Sequence, residues 1–492
     1  MSDWWRDAVF YEIYVRSFAD SDGDGVGDLP GIRSRLPYLK ELGVDALWLT
    51  PFYPSPGADH GYDVSDYLDV DPRFGTLADF DALVADAHEL GLRVTIDIVP
   101  NHTSNEHPWF AERPDYYVWA DKPNNWPSTF GGSAWTFDEA RGKHYLHFFA
   151  PEQPDLDWHN AEVQEEFDAI LRFWLGREVD GFRIDVGHAL FKDAELRDEQ
   201  EPFPDTPYSP DWRISIDQPE LHPLYREWRR LVEGYEREPV LIGEITFSNP
   251  KRLAPYVRSD ELHMAFNFTL LLEPWDAERI RDAIDRSRDA LLEVGSTPTW
   301  VLENHDVERL PSRYGGLDRA RAAALLLLAL PGPVFLYAGQ ELGLEEVDLP
   351  DELRQDPVFH RSGATRKGRD GCRIPLPWAD GPPGFGFTGG EPWLPIPEHW
   401  RDLTVEAQEA DPASTLSLYR AAVAARPGGD TFAWRETPSG TLVVDRGEIL
   451  CAVNVSAPEL ELPAGEVLLA SEPGTARTLP PNTAAWIRKG TT

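Results

Sequence analysis

Gly181-Phe182-Arg183-Ile184-Asp185-Val186 is a short apolar run that carries two charged residues. Its apolar side chains alternate with the arginine and the aspartate, which predicts a buried strand over 181–186 that Gly187 ends. Charged side chains in such a strand are costly to bury unless they pair or take part in chemistry. The segment alone leaves two interpretations open, a structural Arg183–Asp185 ion pair and a reacting centre.

The composition is that of a large globular protein with an acidic surface. The chain has 492 residues, 41% of them apolar and 12% aromatic, enough for a large core and one or two smaller units. Its 85 acidic and 46 basic residues, spread along the chain, give a net charge of −39. Nucleic acids and anionic membranes require a basic face, so we expect neither as a partner. A neutral small-molecule substrate is compatible with this charge.

The cysteine content and the lengths of the apolar runs indicate the cellular compartment. Cys372 and Cys451 do not make a disulfide framework. The first residues lack the apolar core of a signal peptide, and the longest apolar run, 322–330, is too short to span a bilayer. We therefore expect a cytoplasmic protein, with a monomer and a homodimer both left open.

Strand-like and helix-like segments alternate through the first two thirds of the chain. The predicted strands are 9–15, 46–50, 93–99, 181–186, 240–245, 264–268, 299–302 and 333–338. Helical periodicity predicts helices at 29–42, 77–90, 163–176, 221–235, 276–292 and 318–330. Eight strands that mostly alternate with helices predict an α/β fold, the parallel (β/α)8 TIM barrel. A doubly wound open sheet is the competing fold, but no G-x-G-x-x-G follows the first strand.

Three segments depart from this alternation. Residues 103–156, rich in Pro, Asn, Trp and Tyr, predict a small domain inserted after the third strand. Residues 341–405 predict a long loop after the eighth strand. Short strands between turns predict a C-terminal all-β, sandwich-like domain at 415–492. The barrel itself would then comprise 1–102 and 157–414.

Carboxylates follow the ends of several predicted strands. Asp97, Asp185 and Glu244 end the third, fourth and fifth strands, and Asp306 follows the seventh. Active sites of such barrels lie at the C-terminal strand ends, so these side chains would converge. Paired carboxylates without a serine or cysteine nucleophile indicate glycoside hydrolysis, in which one attacks and the other donates a proton. Arg183 would stabilise the charge on Asp185, and the apolar residues before Glu244 would favour its protonated form.

A separate acidic loop follows the first strand. Asp20, Asp22 and Asp24 alternate as in the first part of an EF-hand loop, Val26 offers a backbone carbonyl and Asp28 a further carboxylate, but no Glu completes the motif. Carboxylates this close repel each other without a cation. We therefore expect a structural Ca²⁺, with Mg²⁺ and a cation-free acidic turn as the alternatives, and no organic cofactor.

Four segments resemble, in order and spacing, the motifs of the α-amylase family of glycoside hydrolases: 97–102, 181–185, 243–245 and 303–306. The first strand, the acidic loop and 153–157 resemble the oligo-1,6-glucosidase and α-glucosidase branch of that family. The resemblance covers about residues 4–378. It also matches the acidic loop to the metal-binding loop of the branch.

The resemblance implies roles for individual residues. Asp185 would be the nucleophile, Glu244 the general acid/base, and Asp306 the carboxylate that holds the distorted sugar, while Arg183 orients Asp185. Asp59 would pair with an arginine after the eighth strand, for which Arg373 is the first choice and Arg369 the second. The other substrate-binding residues that the resemblance implies are Tyr62, His102, Phe149 and His305.

Some residues depart from the pattern of the branch. Asp157 and His60 stand where Asn is usual, and Gly187 and His188 follow Val186. In the family, a valine directly after the nucleophile is associated with α-1,6 activity. Gly187 could offset this preference by opening space, so the linkage stays open.

These predictions together describe a retaining, exo-acting α-glucosidase that releases glucose from short α-glucosides. One competing hypothesis keeps the chemistry but changes the acceptor, as in a glucosyltransferase or an isomerase of the trehalose synthase or sucrose isomerase type. Another is a non-catalytic relative that serves as a binding or transporter-associated subunit.

Overall fold

The computed structural model describes residues 3–203, 210–475 and 477–490. The predicted domain ranges also include residues 1–2, 204–209, 476 and 491–492, which lie outside the described residues. Within the described residues, no helix combines the length and the apolar content that crossing a membrane requires.

Eight short parallel strands form the central sheet, and three others form a separate small sheet. The strands up to residue 337 are β1 (Val9–Ile13), β2 (Ala46–Leu49), β3 (Arg93–Ile98), β4 (Trp119–Ala120), β5 (Trp135–Asp138), β6 (Lys143–Leu146), β7 (Gly181–Ile184), β8 (Val240–Gly243), β9 (Met264–Ala265), β10 (Trp300–Val301) and β11 (Val334–Tyr337). The central sheet has the order β10-β11-β1-β2-β3-β7-β8-β9. A parallel bridge between Phe266 and Thr299 joins its two edges, which confirms the predicted (β/α)8 barrel.

Helices follow most of the barrel strands, and others lie in the inserted and C-terminal segments. They are α1 (Val15–Phe18), α2 (Leu29–Ser34), α3 (Leu36–Leu42), α4 (Leu77–Glu89), α5 (Pro108–Glu112), α6 (Ala161–Leu175), α7 (Leu221–Val232), α8 (Pro250–Leu253), α9 (Phe268–Leu271), α10 (Ala277–Leu292), α11 (Leu310–Tyr314), α12 (Leu317–Ala329), α13 (Pro357–Arg361), α14 (Val405–Glu409) and α15 (Thr415–Ala424). The prediction of a single helix over 29–42 is wrong, because this segment forms the two helices α2 and α3. The segment breaks at Arg35, since Pro37 lacks the N–H that a continuous helix needs.

The strand predicted over 181–186 is too long by two residues. The strand β7 ends at Ile184, and Val186 adopts a left-handed backbone conformation with φ +47°. This conformation is rare for a β-branched residue and costs roughly 1–3 kcal/mol, so surrounding contacts must hold it. The turn therefore begins directly at Asp185.

Residues inserted after β3 and residues at the C-terminus form two further sheets. The strands β4, β6 and β5 form an antiparallel sheet within the predicted insertion. The C-terminal strands are β12 (Ala433–Trp434), β13 (Thr441–Arg446), β14 (Ile449–Asn454), β15 (Leu460–Glu461), β16 (Gly465–Ala470), β17 (Thr478–Leu479) and β18 (Thr483–Lys489). Five of them form the antiparallel sheet β12-β13-β14-β18-β16, and β15 pairs with β17. The first ten residues of the predicted all-β segment are not extended, because they form α15.

Candidate active site

The alternation of side chains along the barrel strands places charged groups above an aromatic core. Residues two apart in a strand share a face. Glu12 therefore follows buried Phe10 of β1, and Glu244 follows buried Ile242 of β8. In the parallel register, Arg183 of β7 lies level with Asp97 of β3. The polar side chains thus meet at the C-terminal ends of the strands.

Arg183 is the buried hub of this arrangement. Its side chain is 1% exposed. Its Nη1 donates to the Asp185 carboxylate at 2.6 Å and to both oxygens of Asp97 at 3.0 and 3.1 Å. Its Nη2 lies 2.8 Å from Oε2 of Glu244. A single guanidinium therefore fixes three carboxylates, and the predicted Arg183–Asp185 pair is present.

The two predicted reacting carboxylates follow adjacent strands. Asp185 and Glu244 each stand one residue beyond their strands, and their backbone N–H groups donate to Ile98 and Ile184 carbonyls at 2.9 Å. The N–H of Val186 donates to Oε2 of Glu244 at 2.9 Å. The unusual backbone conformation of Val186 thus serves to aim this N–H at the Glu244 carboxylate.

Burial dominates the protonation of the Asp185 carboxyl. Desolvation raises its pKa well above the ordinary value, Arg183 lowers it, and the charges of Glu244 and Asp97 raise it again. Burial likewise raises the pKa of Asp97 to about 7 against the opposing charge of Arg183. The expected stabilisation of ionised Asp185 by Arg183 is therefore present, but it works against a strong desolvation effect.

Asp306 has a different electrostatic environment. Its Oδ1 accepts from Arg369 at 3.0 Å and from Arg373 at 2.9 Å. Burial raises its pKa, but the charges around it, those of Arg369 and Arg373 among them, outweigh burial and hold the pKa well below the ordinary value. Asp306 is thus a stable anion, suited to holding sugar hydroxyls and positive charge.

The arginine that pairs with Asp59 is Arg369. Its Nη2 lies 2.6 Å from Oδ1 of Asp59, and it also contacts Asp356. The preference for Arg373 was wrong, because that side chain donates instead to the His305 carbonyl at 2.8 Å and to Asp306. Arg369 bridges Asp59 and Asp306, whereas Arg373 braces the segment that carries Asp306.

Histidines and a tyrosine complete the inner wall. Tyr62 stacks on His305 with ring centroids 5.4 Å apart, and its hydroxyl contacts Nε2 of His305 at 2.8 Å. Nδ1 of His305 lies 2.5 Å from the carboxylate of Glu12. His102 contacts the Tyr62 carbonyl at 3.0 Å, and burial lowers the pKa values of both histidines. Both rings are therefore neutral hydrogen-bonding groups near pH 7.

A pocket of about 120 Å³ opens onto these groups. It is lined by every predicted catalytic carboxylate, and by Asp59, Tyr62, His102, Phe149, His305 and Arg369. Arg183 and Arg373 lie behind this lining and act through the carboxylates they contact. Gln153, which is buried behind this wall, donates a hydrogen bond to Asp59 at 3.2 Å. This is a small chamber with charged and aromatic side chains in its wall.

Several residues of the site were not predicted. Glu12 interrupts an apolar strand as Arg183 does, so the same signal could have identified it. Gln153 belongs to a recognised motif but had no assigned role. Arg213 and Arg366 line the pocket from irregular segments, where no periodicity marks them.

Gly187 and His188, which had no assigned role, pack directly against the Glu244 segment. The N–H of Gly187 donates to the Glu244 carbonyl at 3.0 Å, and a Cβ at Gly187 would lie 3.1 Å from the Tyr225 hydroxyl. Nδ1 of His188 lies 3.3 Å from the same carbonyl. Gly187 therefore permits close packing behind Glu244, and His188 lines the pocket.

The acidic loop lies apart from this pocket. Carboxylate oxygens of Asp20, Asp22 and Asp28 lie within 4.8 Å of one another, a donor set and spacing that fit Ca²⁺. Asp28 also caps α2 by accepting from Gly31 N–H at 2.6 Å. The carboxylate of Asp24 accepts from the Val26 N–H at 2.8 Å and is not part of the close group. Three of the five predicted ligands are therefore brought together.

Comparison with protein families gives two matches, which together cover residues 12–486. The family model "Alpha amylase, catalytic domain" matches residues 12–434, and a "Domain of unknown function (DUF3459)" matches residues 420–486. A "Probable alpha-glucosidase" of Rhizobium meliloti (strain 1021) is 42% identical over 482 residues, covering 91% of this chain and 86% of that protein. An "Oligo-1,6-glucosidase" of Parageobacillus thermoglucosidasius is 36% identical over 480 residues, covering 88% and 85%. The crystal structure of an "alpha-glucosyl transfer enzyme" superposes with a TM-score of 0.91 at 42% identity and covers 99% of this chain and 100% of that one.

The pairing of Asp59 can be tested with a double-mutant cycle. Because Asp59 contacts Arg369, combining Asp59→Asn with Arg369→Gln should show a coupling free energy of about 1–3 kcal/mol in the free energy of unfolding. Arg373→Gln is the matched control, and its coupling to Asp59→Asn should be clearly smaller, because Arg373 is connected to Asp59 through Asp306 and Arg369. A coupling to Arg373 as large as that to Arg369 would contradict the assignment.

Proposed function

The chain belongs to the α-amylase family of glycoside hydrolases, and on that premise we propose that it is a retaining, exo-acting α-glucosidase. It would hydrolyse the terminal α-glucosidic bond of disaccharides and short oligosaccharides through a covalent glucosyl–enzyme intermediate. The observation that carries this proposal is the contact of Asp185 and Glu244 with the same Arg183 guanidinium.

The spacing of the two carboxylates favours retention of configuration. Retaining enzymes hold their carboxyl groups about 5–5.5 Å apart, and inverting enzymes about 6.5–9.5 Å apart to admit a water molecule. Asp185 and Glu244 lie 2.6 and 2.8 Å from adjacent nitrogens of one planar group. Because both carboxylates contact the same guanidinium, they lie close together, which supports the shorter separation of a retaining enzyme.

The reaction would proceed in two displacements. An oxygen of Asp185 attacks the anomeric carbon while Glu244 protonates the leaving glycosidic oxygen, so that the aglycone departs as an alcohol. Glu244, now ionised, then takes a proton from water, which attacks the anomeric carbon and releases glucose and the Asp185 carboxylate. The Asp306 anion stabilises the positive charge that develops on the sugar in both steps.

The size and walls of the pocket support an exo mode of action. A chamber of about 120 Å³ has room for one sugar ring, and the Asp59–Arg369 ion pair lies in its wall. Tyr62 offers an aromatic face, and the neutral rings of His102 and His305 line the same wall. A terminal glucose would therefore enter while the rest of the substrate stays outside. Val186, which lines the pocket, supports a lean toward α-1,6 bonds.

Glucosyl transfer is the second candidate function. It is favoured by the similarity to the alpha-glucosyl transfer enzyme across nearly the whole chain. The two functions share the glucosyl intermediate and differ in whether water or a sugar hydroxyl attacks it. A non-catalytic role has no comparable support, since all three carboxylates are in place.

Product analysis separates these functions. With maltose, isomaltose and sucrose, the hydrolase should release free glucose from at least one substrate, and Asp185→Asn should lower kcat by about 10⁴-fold or more. Asp157→Asn is the matched control at a carboxylate outside the pocket and should keep full activity. Trehalose or isomaltulose in place of free glucose would refute the hydrolase, and activity surviving in Asp185→Asn would refute the mechanism.

A structural Ca²⁺ in the acidic loop is a further part of the proposal, with Mg²⁺ as the alternative ion. Asp20, Asp22 and Asp28 would supply carboxylate oxygens, and Asp24 and the Val26 carbonyl would complete the set. The ion would offset the repulsion among these carboxylates and tie the loop to the start of α2. It would take no part in the chemistry.

Chelation tests the ion. A cation present at 100 times its Kd stabilises the fold by about 2.7 kcal/mol, so EDTA should lower the Tm by about 2–3 °C and excess Ca²⁺ should restore it. In Asp20→Asn the chelator should have little further effect. Metal analysis that finds no ion, together with an unchanged Tm, would contradict the proposal.

A further inference from the structure

A second, larger pocket adjoins the sugar pocket. It has a volume of about 450 Å³ and lies between residues 127–132, residues 210–213 and residues 361–366. The two pockets share Thr129, Phe130, Pro210, Arg213 and Arg366 in their walls. A glucoside whose terminal ring occupies the sugar pocket would therefore extend its aglycone into the second pocket.

The arginines that line the second pocket bind backbone carbonyls rather than carboxylates, although the protein is rich in acidic residues. Arg213, Arg361 and Arg366 donate to the backbone carbonyls of Pro127, Gly131 and Thr129 at 2.9, 2.8 and 3.0 Å. Within the described part of the chain, no carboxylate oxygen forms an ion pair with any of them. By contrast, Arg369, only three residues after Arg366, contacts three carboxylates.

The backbone contacts orient these guanidiniums without neutralising them. Arg213 is only 9% exposed, and burial lowers its pKa to about 10, so it remains a cation near pH 7. The carboxylates of Glu199 and Asp155 offset the effect of burial on its pKa only in part, so a ligand that supplies an anion at the pocket would add charge compensation. Guanidiniums suit carboxylates and phosphates especially well, since their N–H groups match two oxygens at once.

Aromatic side chains give the same pocket a stacking surface. Phe203 and Trp212 are stacked, with centroids 5.4 Å apart and an interplanar angle of 26°. The Arg213 guanidinium lies 5.1 Å from the Trp212 ring. Both rings are half-buried, so they present a face to the pocket. A flat ring, whether a sugar or an aromatic group, would pack there.

We propose that the second pocket is an aglycone site that selects α-glucosides bearing a carboxylate or a phosphate. The inference rests on the proposed glucosidase function and names its substrate class. The aglycone stacks on Trp212 and Phe203, and its acidic group binds Arg361 and Arg366, with Arg213 at the junction with the sugar pocket. The same recognition would serve an acidic acceptor if the glucosyl group is transferred.

Matched neutral and acidic substrates test this selectivity. The full-length protein is assayed with maltose, with maltobionate, and with maltose phosphorylated on the 6-hydroxyl of its reducing-end glucose. At low salt, kcat/KM for at least one acidic substrate should exceed that for maltose about tenfold, and high salt should reduce the ratio. The two acidic substrates show whether carboxylate or phosphate is preferred.

Variants locate the selectivity. Arg361→Gln and Arg366→Gln should each reduce the acidic-to-neutral ratio about tenfold. Lys367→Gln is the matched control, because this cation lies on the same segment but pairs with Asp348 at 2.7 Å, outside the pocket. Its ratio should equal that of the unmodified protein. A ratio near one in the unmodified protein, or a loss as large in Lys367→Gln, would overturn the proposal.

Failure of the proposed function gives a different result. If maltose and p-nitrophenyl α-glucoside are hydrolysed but acidic substrates are not preferred, only the aglycone site is refuted. If no glucoside reacts, the glucosidase is refuted, and calorimetric titration with gluconate and with glucose 6-phosphate decides the pocket. Binding of either anion that is lost in the Arg361→Gln, Arg366→Gln double variant supports the site, and absence of binding overturns it.

Discussion

The buried guanidinium of Arg183 is the interaction on which the active site depends. It holds Asp97, Asp185 and Glu244 together at the mouth of the barrel, where each carboxylate would otherwise repel the others. Removing one partner of such a buried cluster typically costs about 3–5 kcal/mol, because the remaining charges lose their compensation. The two interpretations of Arg183 and Asp185, a structural ion pair and a reacting centre, therefore describe the same group of atoms. Arg183 makes it possible to place two carboxylates against one anomeric carbon.

The barrel and its reacting groups could be predicted from local patterns. Alternation along β1, β7 and β8 fixes which side chains point inward, and Glu12, Arg183 and Glu244 follow from that alternation. Parallel strands end on the same side, so convergence of their C-terminal residues needs no further information. The motifs of the α-amylase family then assigned roles that strand geometry alone does not give.

Other features depend on contacts that no local pattern encodes. The choice between Arg369 and Arg373 depends on how an irregular segment folds over the pocket. The sequence predicts that Val186 continues the strand, but its left-handed conformation is held by a hydrogen bond from its N–H to Glu244, which follows a different strand. Arg213 and Arg366 likewise reach the site from irregular segments. Side chains on such segments are placed by tertiary packing, which is why sequence periodicity missed them.

The two adjoining pockets differ in their charged side chains. The sugar pocket combines four carboxylates with Arg213, Arg366 and Arg369, whereas the charged groups that line the second pocket within the described residues are Arg213, Arg361 and Arg366. A net charge of −39 would repel acidic ligands at long range, so the second pocket needs local cations to bind them. Residues at the mouth of the barrel would therefore carry out the reaction, and the segments that cover the barrel would select the aglycone.

Trapping the glucosyl intermediate shows directly whether Asp185 is the nucleophile. The full-length protein is incubated with 5-fluoro-α-D-glucosyl fluoride, whose ring fluorine slows both displacements while its reactive leaving group lets the first one proceed. Peptide mass spectrometry then locates the covalent label. We expect a fluoroglucosyl ester on the peptide that contains Asp185, and specifically on Asp185. A label on another residue, or turnover of the reagent without any covalent adduct, would contradict it.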